Sequence, residues 1–225
     1  MNPEFKDRSF DLYVFLAQER SRKDEKSQSG YDNCKSCRRK EEKKSDMDPY
    51  RKALIEIRKS VIHRKDKEKQ IARHLADLLD QLDPNRTKLI GLYYPIRGEV
   101  DILESLEDRT ASLCFARVIG KYEMDFCRCS INDLIPGAFH IPEPSEELEA
   151  VVPDLLLVPL VAYHNLNRLG NGQGFYDRYL AAHPDLPAIG LAFDEQEADF
   201  PVLETDQILD YLITPAGIRQ KSEDD

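Results

Sequence analysis

The residues best suited to chemistry lie in one segment with glycines at alternate positions. Gly170, Gly172 and Gly174 follow the apolar run from Leu155 to Tyr163 and precede a stretch with helical character. Such glycines allow backbone N–H groups to face one concavity, because no Cβ atom stands in the way. The N-terminus of the next helix adds a partial positive charge. The pattern indicates an anion site, although a structural tight turn explains the glycine spacing alone equally well.

Two charged side chains beside these glycines favour a binding site. Arg168 can donate a bidentate pair of hydrogen bonds to a phosphate group, and Asp177, one turn into the helix, can hold a cation or a bound hydroxyl. This combination suits a polyphosphate with its metal ion. The segment is not a Walker loop, since no Lys-Ser/Thr follows, and it lacks the GxGxxG spacing of dinucleotide sites.

The elements around this segment alternate between strands and helices. Leu155 to Leu160 is a nearly continuous apolar run, typical of a strand buried on both faces. Apolar residues at helical spacing predict one long helix or two from Leu54 to Leu82. Further strands are predicted over 88–94, 111–118, 122–127, 188–192 and 211–213, and helices over 101–106, 145–150 and 174–182. This order predicts an α/β fold with a largely parallel sheet.

Composition excludes several classes of protein. With 32 Lys and Arg against 42 Asp and Glu, the net charge of −10 argues against a nonspecific nucleic-acid binder. The longest apolar run is broken by Pro159 and is far shorter than the roughly 20 residues of a membrane helix. The 5 cysteines are too scattered for a disulfide scaffold. A cytoplasmic protein without a membrane or nucleic-acid partner is therefore expected.

The first 46 residues differ from the rest of the chain. From Glu19 to Asp46 almost every residue is polar, so residues 1–46 are predicted to be a disordered, charged extension of a domain over 47–225. Met47 is a hypothetical natural start. The Cys34–Cys37 pair has no second ligand pair nearby, so ordinary cysteines in a loose tail are favoured over structural zinc.

Four segments in order carry a resemblance to a known family. They are 94–101 (YPIRGEVD), 141–144 (IPEP), 168–178 (RLGNGQGFYDR) and 190–206, which begins GLAFDEQ and ends at Asp206. Together with the flanking sequence they extend from about Tyr50 to Thr214. This arrangement resembles the 5-formyltetrahydrofolate cyclo-ligases, also called methenyltetrahydrofolate synthetases. Four ordered segments are more specific than a single glycine loop.

The resemblance implies a three-layer α/β/α domain with a mainly parallel sheet, like the outline of sugar-phosphate isomerases and CoA transferases. It also implies conversion of 5-formyltetrahydrofolate and ATP to 5,10-methenyltetrahydrofolate, ADP and phosphate, with Mg²⁺, by a monomer. In that reaction the γ-phosphoryl group passes to the formyl oxygen, and N10 closes the ring as phosphate leaves. A folate- or nucleotide-binding member without turnover is the alternative, and a sugar-phosphate enzyme of the same outline is a weaker one.

The same resemblance assigns roles to individual residues. Arg168 and Gln173 are the expected catalytic residues, and Asp177 and Asp206 the expected Mg²⁺ ligands. The expected ATP contacts are Arg51, Lys52, Arg168, Leu169, Gly170, Asn171, Gly172, Gln173, Gly174, Phe175 and Tyr176. The expected folate contacts are Tyr94, Glu99, Asn171, Gly172, Gln173, Gly174 and Phe175.

One position in the N-terminal helix departs from the family pattern. Aligned on Leu54, the second basic residue that the family places against ATP falls at Ile55, which cannot donate a hydrogen bond. We therefore expect either a missing ATP contact or a substitute, Lys52 or Arg58, from a nearby helical position.

Overall fold

The computed structural model describes residues 49–222. The predicted disordered extension over 1–46, the hypothetical start at Met47 and the Cys34–Cys37 pair lie outside the described residues. The chain divides into two units after Leu54, and the sheet belongs to the second unit.

A mixed eight-stranded sheet forms the centre of this unit. In the described residues the strands are β1 (Ile90–Leu92), β2 (Leu113–Val118), β3 (Met124–Arg128), β4 (Ile135–Pro136), β5 (Pro142–Glu143), β6 (Ala150–Val151), β7 (Leu155–Pro159), β8 (Ala162–His164), β9 (Asn167–Leu169), β10 (Ala188–Leu191), β11 (Tyr211–Thr214) and β12 (Gly217–Gln220). The sheet order is β12-β11-β10-β7-β1-β2-β3-β6. The five strands from β11 to β2 run parallel, whereas β12 pairs antiparallel with β11, β3 with β2, and β6 with β3. The predicted largely parallel sheet is confirmed.

Helices cover both faces of this sheet. The α-helical segments are 49–59, Arg64–Leu82 and Phe175–Ala182. Successive residues of β7 face opposite sides of the sheet: Leu157 packs in one cluster with Leu75, and Leu156 packs in the other with Leu180. All four side chains are buried, so the apolar run in β7 has the two-sided burial that its sequence predicts. The three-layer α/β/α architecture is thereby confirmed.

Several local predictions need correction. A β-hairpin, β8–β9, stands between β7 and the glycine segment, with Asn165 at a positive φ of 55° in its turn. The helix predicted over 145–150 is a turn that leads into β6, because Ala150 and Val151 pair with β3. The helix predicted over 101–106 is a 3-10 helix at Glu104–Ser112. None of the described helices is long and apolar enough to cross a membrane.

Gly190 occupies a tightly packed position in β10. A Cβ atom there would lie 2.5 Å from Leu209 Cδ1 and 3.0 Å from Leu160 Cδ2, and both leucines are buried. We expect Gly190→Ala to lower the free energy of unfolding by about 1–3 kcal/mol, because the added methyl overpacks the core. Urea unfolding measures the change. Gly120→Ala is the control, since its nearest contact would be Glu123 Oε2 at 3.5 Å; equal stability of the two variants would refute the expectation.

Candidate functional site

The glycine-rich loop connects β9 to the helix Phe175–Ala182. Gly172 and Gly174 have positive φ angles of 90° and 68°, a backbone region that residues with a Cβ atom rarely adopt. Gly174 is the N-cap of the helix, and residues 171–173 are exposed. The loop therefore presents main chain next to a helix N-terminus, as an anion site requires.

The buried Arg168 and the half-buried Asp177 form an ion pair at the base of this loop. Arg168 Nη2 donates to Asp177 Oδ1 at 2.6 Å, although only 6% of Arg168 is exposed. Burial lowers the pKa of Arg168, and the nearby Asp177 opposes that change. Its Nε is buried and has no hydrogen-bond partner among the described residues. A buried guanidinium N–H without an acceptor is costly, so an anionic ligand in reach of Nε would stabilise this arrangement.

The two predicted metal ligands are Asp177 and Asp206, and a hydrogen bond to Asp177 connects the segments on which they lie. Asp177 Oδ1 accepts a hydrogen bond from the backbone N–H of Gln207 at 3.2 Å, the residue after Asp206. Asp206 Oδ2 accepts from the N–H of Leu203 at 2.9 Å. The described residues contain no cluster of three or more His, Cys, Asp or Glu side chains that could hold a metal. Two carboxylates nevertheless fit Mg²⁺, which commonly takes one or two protein carboxylates and completes its shell with water and phosphate oxygens.

Glu99 connects the segment 94–101, which contains the predicted folate contacts, to the glycine loop. Its carboxylate is buried, with Oε1 3.4 Å from Asn171 Nδ2 and 3.4 Å from Arg58 Nη1. Oε2 accepts from the N–H of Ile96 at 3.0 Å. Burial raises the pKa of Glu99, and the positive charge of Arg58 opposes the shift. Tyr94, the other early residue, is half-buried just beyond β1.

The two aromatic residues at the start of the helix differ in their neighbours. The Tyr176 ring centroid is 5.9 Å from Arg168 Cζ, and the Phe175 ring centroid is 5.8 Å from Arg178 Cζ. Burial raises the pKa of Tyr176, as does the nearby Glu99. Both rings are half-buried, which leaves each of them partly accessible.

Arg178 is a contact residue that the sequence does not reveal. It donates from Nη2 to the carbonyl of Gln173 at 2.6 Å and from Nε to the carbonyl of Tyr122 at 2.7 Å. Arg178 thus ties the glycine loop to the β2–β3 connection. The sequence places Arg178 at the end of the 168–178 segment, but it does not show this contact, because Tyr122 is remote along the chain.

The basic residues of the helix 49–59 fall on both sides of the division after Leu54. Arg51 and Lys52 precede the division of the chain at Leu54, and their ATP contacts stay predictions. Arg58 is fully buried and donates to the carbonyls of Arg97 and Leu160. The suggestion that Arg58 replaces the missing charge at Ile55 does not fit this structure, because its guanidinium is enclosed by protein groups.

Comparison with known proteins shows relatives of similar sequence. A model of the 5-formyltetrahydrofolate cyclo-ligase family matches residues 40–215. The chain is similar to the 5-formyltetrahydrofolate cyclo-ligase of Mycoplasma genitalium, 30% identical over 132 residues that cover 56% of this chain and 72% of the relative. The corresponding protein of Haemophilus influenzae is 30% identical over 145 residues, which cover 59% and 76%.

Solved structures of methenyltetrahydrofolate synthetases are similar to this chain. The 5,10-methenyltetrahydrofolate synthetase of Mycoplasma pneumoniae is 28% identical, with a TM-score of 0.57 over 73% of this chain and 96% of that one. The synthetase of Aquifex aeolicus is 29% identical, with a TM-score of 0.63 over 79% and 92%. These likenesses confirm the resemblance noted in the four ordered segments. The chain belongs to the 5-formyltetrahydrofolate cyclo-ligase family.

Proposed function

We propose that this chain catalyses the ATP- and Mg²⁺-dependent cyclisation of 5-formyltetrahydrofolate to 5,10-methenyltetrahydrofolate, with release of ADP and phosphate. The observation that carries the proposal is the 3.4 Å approach of Asn171 Nδ2 to Glu99 Oε1. It joins the loop suited to phosphate with the carboxylate suited to a pterin, and phosphoryl transfer needs both substrates in one place.

The loop and Arg168 are proposed to bind the ATP phosphates. The exposed main chain at residues 171–173 and the N-terminus of the following helix favour negative charge. The Nε atom of Arg168, which lacks an acceptor among the described residues, supplies a charged donor. In the exposed loop, the side-chain amide of Gln173 can donate a hydrogen bond to the transferring phosphoryl group. The backbone carbonyl of Gln173 accepts a hydrogen bond from Arg178 Nη2.

Glu99 is proposed to orient the folate. An ionised carboxylate pairs well with adjacent N–H donors such as those of a pterin. The formyl oxygen attacks the γ-phosphorus, the bond from that phosphorus to the β-phosphate oxygen breaks, and ADP leaves. The formyl oxygen is then a phosphate ester and can depart as phosphate. N10 then attacks the formyl carbon, loses its proton, and closes the ring as phosphate departs. The chain's residues thus act by positioning and charge stabilisation rather than as nucleophiles.

Asp177 and Asp206 are proposed to hold Mg²⁺. When bound, the ion neutralises charge on the phosphate oxygens. Asp177 also keeps Arg168 in place through the 2.6 Å hydrogen bond, so one carboxylate serves both the cation and the arginine. Arg51 and Lys52 are proposed as further ATP contacts, and Tyr94 as a folate contact. A monomer in the cytoplasm is the proposed state.

A direct assay tests the proposal. Purified protein, 5-formyltetrahydrofolate, ATP and Mg²⁺ are mixed, and the near-ultraviolet absorbance of the methenyl product is followed. We expect product that depends on ATP and disappears with a chelator. Binding of both ligands without product would favour the non-catalytic alternative, and no binding of either would contradict the folate assignment.

Folate binding should depend on pH through Glu99. Because burial raises the pKa of this carboxyl above its ordinary value, its charged form is lost as the pH falls through that raised pKa. The KM for folate should therefore rise on acidification at a pH above the usual range of a glutamate. Glu99→Gln should raise the KM at neutral pH and flatten this profile. The same acid limb in Glu99→Gln would assign it to another group.

A further inference from the structure

Arg58 uses all three of its guanidinium nitrogens inside the protein. Nε and Nη2 donate to the carbonyl of Arg97 at 3.3 and 3.2 Å, and Nη1 donates to the carbonyl of Leu160 at 2.8 Å. Nη1 also lies 3.4 Å from Glu99 Oε1. No part of Arg58 is exposed. A fully buried charge is costly unless it is paired and hydrogen-bonded, so these contacts define what this residue does.

The contacts converge on an unusual turn formed by residues 96–99. The N–H of Glu99 donates to the carbonyl of Ile96 at 2.9 Å, and the two central residues, Arg97 and Gly98, have φ angles of 48° and 77°. Two positive φ angles are the mark of a type I′ turn, which is unfavourable for a non-glycine residue such as Arg97. Arg58 holds the carbonyl of Arg97, and Arg64 holds that of Gly98 at 3.1 Å. Arginines thus fix both central residues of the turn.

The 96–99 turn determines where the Glu99 carboxylate lies. Oε2 is fixed by the N–H of Ile96 at 3.0 Å. Oε1 contacts Arg58 and Asn171 only at 3.4 Å, longer than the 2.7–2.9 Å typical of charge-assisted hydrogen bonds. Oε1 therefore keeps the capacity to accept from a ligand N–H group. Arg58 also stabilises the charge that makes this oxygen a strong acceptor.

We propose that Arg58 is a positioning residue for the pterin: it fixes the 96–99 turn and keeps the Glu99 carboxylate charged and aimed, without touching either substrate. The inference rests on the proposed function, since Glu99 is the folate group there. It gives a function to a charged residue at a fully enclosed position. It also gives Arg58 a role on the folate side of the site rather than on the ATP side.

Two substitutions separate the charge of Arg58 from its hydrogen bonds. Arg58→Met removes both, whereas Arg58→Lys keeps the charge but loses the fork to Arg97. In Arg58→Met we expect the KM for folate to rise about ten- to hundredfold, the loss of a charged hydrogen bond, with the KM for ATP little changed. Arg58→Lys should show a smaller rise. The control is Arg86→Met, which breaks the exposed pair with Asp108 and should leave both KM values unchanged.

The pH profile gives a readout that a merely structural role would not move. The charged or titratable groups that face Glu99 are Arg58, Arg97, Tyr93 and Tyr176. Arg58 is the largest of the influences that oppose the effect of burial on Glu99, so the pKa of Glu99 should rise further without it. In Arg58→Met the acid limb of the folate KM should therefore move to higher pH, and in Arg58→Lys it should move less.

A double-mutant cycle completes the test. If Arg58 acts through Glu99, Arg58→Lys should cost much less in kcat/KM for folate in a Glu99→Gln background than in the wild type. Thermal unfolding checks that each variant folds, and Arg58→Lys carries the test where Arg58→Met does not fold. Fully multiplicative costs, equal rises in both KM values, or an unmoved pH profile would overturn the inference. A wild-type protein without turnover would instead overturn the proposed function.

Discussion

Substitution of lysine for Arg168 is expected to raise the KM for ATP by about ten- to hundredfold, the equivalent of one charged hydrogen bond. Lysine keeps the positive charge but cannot both hold Asp177 at 2.6 Å and present a second nitrogen to a phosphate group. Arg168→Met should be worse, because it removes the positive charge as well as the hydrogen-bond donors that face Asp177. Initial rates of methenyl formation at varied ATP and saturating folate measure the change.

The selectivity of this effect is as informative as its size. Since Arg168 pairs with Asp177, and the hydrogen bonds of Glu99 in the described residues go to Arg58, Ile96 and Asn171, the KM for folate should change much less than the KM for ATP. Arg86→Lys provides a matched control at an exposed ion pair and should leave both constants unchanged. A folded Arg168→Lys protein with wild-type ATP dependence would place the nucleotide elsewhere on the molecule.

The local pattern of the sequence was sufficient to predict β7 and the helix that follows the glycine loop. The apolar run of β7 predicts a strand with two buried faces, and Leu156 and Leu157 indeed pack in opposite clusters. Gly174 and the helix after it were predictable because a glycine with positive φ and an amphipathic helix each leave a strong local signal. The hairpin β8–β9 has only three residues per strand, too few for alternation to show.

The environment of the charged residues could not be predicted in the same way. Arg58 lies on the apolar face of its helix, four residues after Leu54 and three before Val61, but the sequence does not show what would pair with a charge there. Its burial depends on Glu99, 41 residues away, and on the carbonyl of Leu160, 102 residues away. Arg178 likewise contacts a carbonyl 56 residues away at Tyr122. Such contacts depend on how distant segments of the chain pack together. Only the family resemblance therefore predicted that Glu99 and the glycine loop belong to one site.

Asp177→Asn and Asp206→Asn are expected to reduce turnover by different routes. Both remove a negative charge proposed to hold Mg²⁺, so the Mg²⁺ concentration for half-maximal rate should rise at least about tenfold in each, the lower end of what loss of support at a metal site produces. Asp177→Asn also deprives the buried Arg168 of its ion-pair partner. Its maximal rate should therefore stay low when Mg²⁺ is raised, whereas excess Mg²⁺ should restore much of the rate of Asp206→Asn.

The contrast between the two variants decides which role each carboxylate has. Rates over a Mg²⁺ titration at saturating ATP and folate measure it, with Asp108→Asn as an exposed control that should follow the wild type. Recovery of Asp177→Asn to the same maximal rate as Asp206→Asn would mean that its link to Arg168 is dispensable. An unchanged Mg²⁺ dependence in both would remove the metal assignment while leaving the folate carboxylate Glu99 intact, because the two sets of residues touch the site through different segments.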